Sequence, residues 1–175
     1  GFTHWAKLNN LKQAAKTMNF LTEHGISSYG ELESKLTAVS ARRDTAHAEI
    51  KRIESRSAEL TLVMKHAGTY RQLKPLYDRY RKSNDKEKFL RGHESEIILF
   101  EAAARELKRL GAVPLPTTES MKTELANLNA EKERLLAEYK AARTEAQEYD
   151  TVKQNVDALL TVPKEQEQQR RHELE

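Results

Sequence analysis

The chain has 175 residues, of which 33% are charged and 38% hydrophobic, with six glycines, no cysteine and a formal net charge of +3. That balance is lean for a thick globular core, and the lack of cysteine excludes a disulfide framework and a thiolate metal site. The longest apolar run, Ile97 to Phe100, is far short of the roughly 18 residues that span a bilayer, and no secretory signal is visible.

With no such segment, the cytoplasm is the default location and no membrane insertion is expected. The abundance of Ala, Glu, Lys, Leu and Arg favours long helices that bury only a narrow seam. The expected fold class is therefore all-α.

In chain order, the first predicted helix covers about 3–23, with Thr3 as N-cap and Trp5, Leu8, Leu11, Ala15, Met18 and Leu21 on one face. Gly25 ends it. A helix that starts so soon, with no initiator methionine, is what a piece cut from a longer protein would show. Ser28, with Glu31 three residues on, has the arrangement of a capping box and opens a second helix over 28–83.

That helix carries Leu32, Leu36, Val39, Arg43, Ala46, Ile50, Ile53, Ser57, Leu60, Met64 and Ala67 at alternating spacings of four and three. The spacing is a heptad seam, interrupted only at Arg43 and Ser57. Gly68 weakens the helix and Pro75 removes one hydrogen bond to the carbonyl four residues back, so a kink is expected near Pro75.

Asn84 or Asp85 restarts a helix over 85–110, where Phe89, Leu90, Ile97, Ile98, Phe100, Ala104 and Leu107 are too widely distributed for a single seam. Gly111 stops it. After the extended connection "VPLPTTES", Thr117 or Thr118 caps a helix over 117–161. Its seam is Met121, Leu125, Leu128, Lys132, Leu135, Tyr139, Ala142, Ala146, Tyr149, Lys153, Val156 and Leu160. Residues 1–162 thus form one helical domain, and Pro163 with "KEQEQQRRHELE" reads as a flexible polar tail, 163–175.

Antiparallel pairing of the two seams sets Leu32 opposite Leu160 and Ala67 opposite Met121. The expected architecture is an elongated antiparallel coiled-coil hairpin of two long helices, with a helical cap at one end and the N-terminal helix packing at the other. Its rival is a parallel homodimer in which each seam pairs with its own copy.

Residue chemistry points away from catalysis. The six histidines are scattered, no pair has the i, i+4 spacing of two imidazoles on one helix face, and no HExxH occurs. Asp44 and His47 are half of a helical carboxylate–histidine motif, but bundle metal sites need that motif twice with further glutamates. A Gly-rich phosphate loop, a serine elbow and a nucleophilic cysteine are all missing. Tyrosine 139 and tyrosine 149 fall in the second seam and read as core; no tyrosine has a base or metal arranged beside it to lower a pKa of about 10. No catalytic residue, cofactor or metal is assigned.

One segment departs from the average. Residues 65–91 hold nine cations, Lys65, Arg71, Lys74, Arg79, Arg81, Lys82, Lys86, Lys88 and Arg91, against Asp78, Asp85 and Glu87, a local charge of +6. The remaining 21 basic and 24 acidic residues give −3. With Tyr70, Tyr77 and Tyr80 interleaved, the segment has the footprint of a nucleic-acid contact, since cations displace condensed counterions and aromatics stack on unpaired bases. The competing reading makes the tyrosines a buried stripe and the cations its solvated face.

The stretches "HWAKLNNLKQAAKTMNFLTEHGISSYGELE", "HAGTYRQLKPLYDRYRK", "EIILFEAAARELKRLGAVPLPT" and "LNAEKERLLAEYKAARTEAQEYDTVKQNVDALL" occur in order over about residues 2–160. Together they resemble the C-terminal helical region of relaxase/mobilization proteins of conjugative and mobilizable elements, of Firmicutes type. The non-heptad pieces "WAKLNNLKQAAKT", "LTEHGI" and "LGAVPLPT" carry the likeness.

The resemblance implies an upstream nuclease domain that nicks one strand at a transfer origin, using a tyrosine nucleophile and a divalent metal held by histidines. No His-x-His pair and no tyrosine of this chain matches that machinery. The expected function is therefore a non-catalytic accessory domain in conjugative DNA transfer. Its expected partners are transfer-origin DNA, relaxosome or coupling proteins, or a second copy in a homodimer. The alternative is a self-association or spacer module with no DNA contact.

Overall fold

A computed structural model describes residues 2–174, with side chains described for 9–161 and 168–174. The described residues form an all-helical protein of long helices that pack against one another: α1 (Phe2–Glu23), α2 (Tyr29–Lys82), α3 (Lys86–Arg109) and α4 (Thr118–His172).

Local chemistry accounts for the breaks between them. Gly25, at φ 62°, closes α1 in a Schellman arrangement: the Ile26 N–H donates to the Leu21 carbonyl at 2.9 Å and the Gly25 N–H to that of Thr22 at 3.2 Å. Gly111, at φ 69°, repeats the motif after α3, with Ala112 donating to Leu107 and Gly111 to Lys108. Positive φ at both positions favours glycine.

Each following helix starts on a side-chain cap. Ser28 Oγ accepts from the Glu31 N–H at 3.2 Å, Asp85 from that of Lys88 at 3.0 Å, and Thr117 Oγ1 from that of Ser120 at 3.1 Å. The Glu31 carboxylate reaches one residue further back than in a regular capping box, to the Ser27 N–H at 2.8 Å. That bond, foremost, holds the Glu31 carboxyl below its ordinary pKa.

One helix boundary differs from expectation. α2 continues as one helix through Gly68 and Pro75, and the backbone departs from helical geometry within α3, at His93 (φ −137°, ψ 25°). The preceding Gly92 is the weakest helix former of that segment. α4 continues through Pro163 to His172 rather than ending at 161. Lys, Glu, Gln and Arg after the proline are all good helix formers, with no glycine among them to end the helix.

The chain divides into two compact units, Gly1–Ala48 with Leu136–Glu175, and Glu49–Leu135. In the first, Ile26, Leu32, Val39, Ala146, Tyr149 and Val152 form a buried cluster against which Phe20, Leu21, Leu36 and Val156 pack. Here α2 and α4 run antiparallel: Tyr29 bonds Asp157, Glu33 pairs with Lys153, and His47 lies against Tyr139, so each step forward along α2 is a step back along α4. Desolvation raises the pKa of the buried Tyr149, and the nearby Glu145 and Glu148 raise it further.

The inward face of α1 is only partly the expected one: Leu21 packs on the core as expected. Leu11 and Met18 are 66% and 59% exposed, and Thr17 is buried at 2%. Trp5 and Leu8 lie outside the described side chains. Thr17 enters at low cost because its hydroxyl donates to the Gln13 carbonyl at 2.9 Å, while Asn155 Nδ2 donates to Thr17 Oγ1 at 3.4 Å. Leu160, placed in the second seam, is 58% exposed, so that seam ends at Val156.

The second unit buries Ile50, Ile53, Leu60, Val63 and Ala67 of α2, Ile97, Phe100, Ala103 and Leu107 of α3, and Met121, Leu128 and Leu135 of α4. α2 and α4 are antiparallel here too, since Glu54 pairs with Lys132 and Arg56 with Glu124. The seam lysines Lys132 and Lys153 are half-buried: their stems lie in the seam and their ammonium groups reach a carboxylate on α2. Polar seam positions satisfied in this way favour one register over its neighbours.

Candidate nucleic-acid interface

All nine cations of the basic segment belong to the second unit, and all nine are exposed. Their surroundings differ. The Arg71 guanidinium donates to Thr118 Oγ1 at 2.8 Å and to the Pro116 carbonyl, tying α2 to the connection before α4. Lys74 pairs with both oxygens of Asp78 at 3.1 Å, and Arg91 with Glu87 at 3.6 Å. Lys65, Arg79, Arg81, Lys82, Lys86 and Lys88 make no ion pair among the described residues.

The cations of α2 do not share one stripe. At about 100° per residue, Lys74 and Arg81 fall within about 20° of each other, while Lys65 and Arg79 lie about 140–180° from them around the helix. Only the first pair sits on the side turned to α3, where Tyr70, Tyr77 and Phe100 line an open cleft of about 510 Å³ with Lys74 and Arg81.

The aromatic contacts there are close. Tyr70 and Tyr77 stack on Phe100 at centroid distances of 4.8 and 4.3 Å, with interplanar angles of 26° and 23°. Two near-parallel partners require the two faces of the Phe100 ring. Tyr80 lies between Tyr77, at 5.8 Å, and Phe89, at 6.0 Å. All three tyrosines are half-buried, so they serve the packing and still present an edge to solvent.

Two cations that the basic segment does not contain, Arg105 and Lys108 of α3, line the same cleft. The signal that would have found them is the i, i+4, i+7 spacing of Glu101, Arg105 and Lys108 on one face of α3, adjacent to Phe100. Taken segment by segment, the sequence does not pair that face with α2.

Elsewhere, Asp44 accepts a hydrogen bond from Arg43 at 2.9 Å and the exposed His47 ring lies 5.6 Å from Tyr139. Among the described residues no group of three or more His, Asp or Glu gathers into a metal-binding cluster. Of the described residues, no helix is long and apolar enough to cross a membrane. Comparison with protein-family models, with curated proteins and with solved structures returns no match.

Proposed function

We propose that this chain is a non-catalytic helical accessory module that binds nucleic acid through exposed cations of its second unit. In keeping with its sequence resemblance, we place it in the bacterial cytoplasm, as part of a relaxase-type protein of conjugative DNA transfer. The observation that carries the reading is the set of six exposed cations, Lys65, Arg79, Arg81, Lys82, Lys86 and Lys88, with no carboxylate paired to them among the described residues. Cations kept for structure are commonly neutralised by neighbouring acids, as Lys51, Arg52 and Arg109 are here. Unpaired ones in a single segment suit phosphate contacts.

The antiparallel hairpin of α2 and α4 belongs to the same proposal, supported by the opposed direction of the two helices within each unit. Transfer-origin DNA is the proposed ligand.

The test is a titration of fluorescently labelled DNA at low salt, comparing the wild type with a variant in which Arg81, Lys82, Lys86 and Lys88 are all changed to Glu. Binding abolished by the reversal supports the reading; equal binding, or none by the wild type, removes it.

A second reading is favoured by the exposed Leu11 and Met18 of α1. They suit docking of a relaxosome or coupling protein, or self-association of two copies. Association that survives the charge reversal but fails when both residues are changed to Ser would support it.

A further inference from the structure

We propose that the cleft between α2 and α3 is the seat of a single nucleotide unit. An unpaired base would lie against the aromatic wall of Tyr70, Phe100 and Tyr77, and its phosphate would be held by Arg81, Arg105 and Lys108. The inference rests on the nucleic-acid reading above and adds the place, the ligand unit and two residues that lie outside the basic segment.

Three observations converge. First, the charges of the cleft do not cancel. Lys74 and Asp78 neutralise each other, which leaves Arg81, Arg105 and Lys108 facing the single carboxylate of Glu101. None of those three cations is ion-paired among the described residues. Three cations beside the one further acid that lines the cleft leave it a net positive charge, which suits an anion.

Second, the wall is aromatic and within reach. Tyr70 and Tyr77 are half-buried by their stacking on Phe100, and neither hydroxyl makes a hydrogen bond among the described residues. The ring edges of Tyr70 and Tyr77 can meet the face of an unpaired base in a T-shaped contact, and their free hydroxyls can donate to its sugar-phosphate, contacts that tolerate any base.

Third, the site is concave and small. About 510 Å³ lies within the roughly 300–1,000 Å³ of small-ligand sites. Duplex DNA is read by a convex element entering a groove, and its paired bases are already stacked on their neighbours. A cleft between two helices suits an unpaired unit, either a free nucleotide or one residue of a single strand.

The experiment compares four probes at low salt: deoxyadenosine monophosphate, inorganic phosphate, an oligothymidylate of about ten residues and an abasic strand of the same length and charge. Ring resonances of Tyr70 and Tyr77 are followed by NMR, and affinities by anisotropy, for the wild type, the double variant Arg105→Ala/Lys108→Ala and the control Lys122→Ala. Both tyrosine rings are expected to shift with the oligothymidylate. That strand should bind about tenfold more tightly than the abasic one, and the double variant should lose about tenfold. The control should stay within about twofold. Saturation by the mononucleotide as well identifies a free-nucleotide site; saturation by the strand alone identifies a strand site.

Steeply salt-dependent DNA binding that ignores both the bases and the double variant would overturn the seat and leave the broader reading standing. Absence of DNA binding altogether would end both. Equal ring shifts with inorganic phosphate, or equal affinity for polyglutamate of matched charge, would reduce the cleft to a general anion site and contradict the inference.

Discussion

Tyr77 lies stacked on Phe100 with ring centroids 4.3 Å apart, a contact that joins α2 to α3 at the floor of the basic cleft. Phe100 is only 5% exposed and has Tyr70 on its other face. Phe100→Ala empties that position and is expected to cost about 3–5 kcal/mol, against a smaller loss for Phe100→Leu, which keeps most of the volume. Urea unfolding followed by circular dichroism measures both. Equal and negligible losses would show that the stack does not hold α3 in place.

Arg71 is expected to behave as a structural residue, unlike its neighbours in the basic segment. Its two bonds to the Pro116–Thr118 connection are exposed, so Arg71→Ala should cost about 1 kcal/mol of stability and change DNA affinity little. Arg71→Lys should recover only part of the loss, because an ammonium cannot span both acceptors. Thermal melts paired with binding titrations separate the two effects. Loss of affinity without loss of stability would place Arg71 on the ligand instead.

Much of this fold is legible along α2 and α4, where alternating four and three spacing marks nearly every position that packs. Ile53, 0% exposed, and Leu32, Leu60 and Met121 are all seam members. The pattern is readable because each long helix buries a single stripe, so burial and periodicity coincide. It fails on α1, where burying Thr17 needs no apolar side chain once the hydroxyl is bonded within its own turn. Val63 and Val152 are buried beside the seams and do not belong to them, since packing reaches past the two heptad positions. The cleft was only half legible: residues 65–91 announce their charge, but Arg105 and Lys108 join it through tertiary packing of α3 on α2.

Core and seam-end positions should respond differently to truncation. Ile53→Ala removes a fully buried side chain and should cost about 2–5 kcal/mol. Leu160→Ala acts on a largely exposed residue and should stay within about 0.5 kcal/mol. Chemical denaturation decides this, and a large effect at Leu160 would return it to the buried seam.

The phenol of Tyr29 donates to Asp157 at 2.6 Å, and that bond is the largest cause of a pKa raised from 10.0 to about 12. The neutral phenol is the form that the folded state favours. Its contribution is therefore fully present below pH 10 and is lost as pH rises toward 12. Asp157→Asn should bring the titration of Tyr29 back toward 10, as read from its ring carbon resonance by NMR. An unchanged titration in that variant would show that Asp157 does not set it.

The central claim, that the unpaired cations of the second unit bind nucleic acid, is tested most directly by the salt dependence of DNA affinity on the wild-type chain. With about four phosphates engaged, affinity should fall about a hundredfold between 50 and 200 mM salt, giving a straight line in log–log coordinates. A flat line across that range, or no binding at the lowest salt, would contradict it.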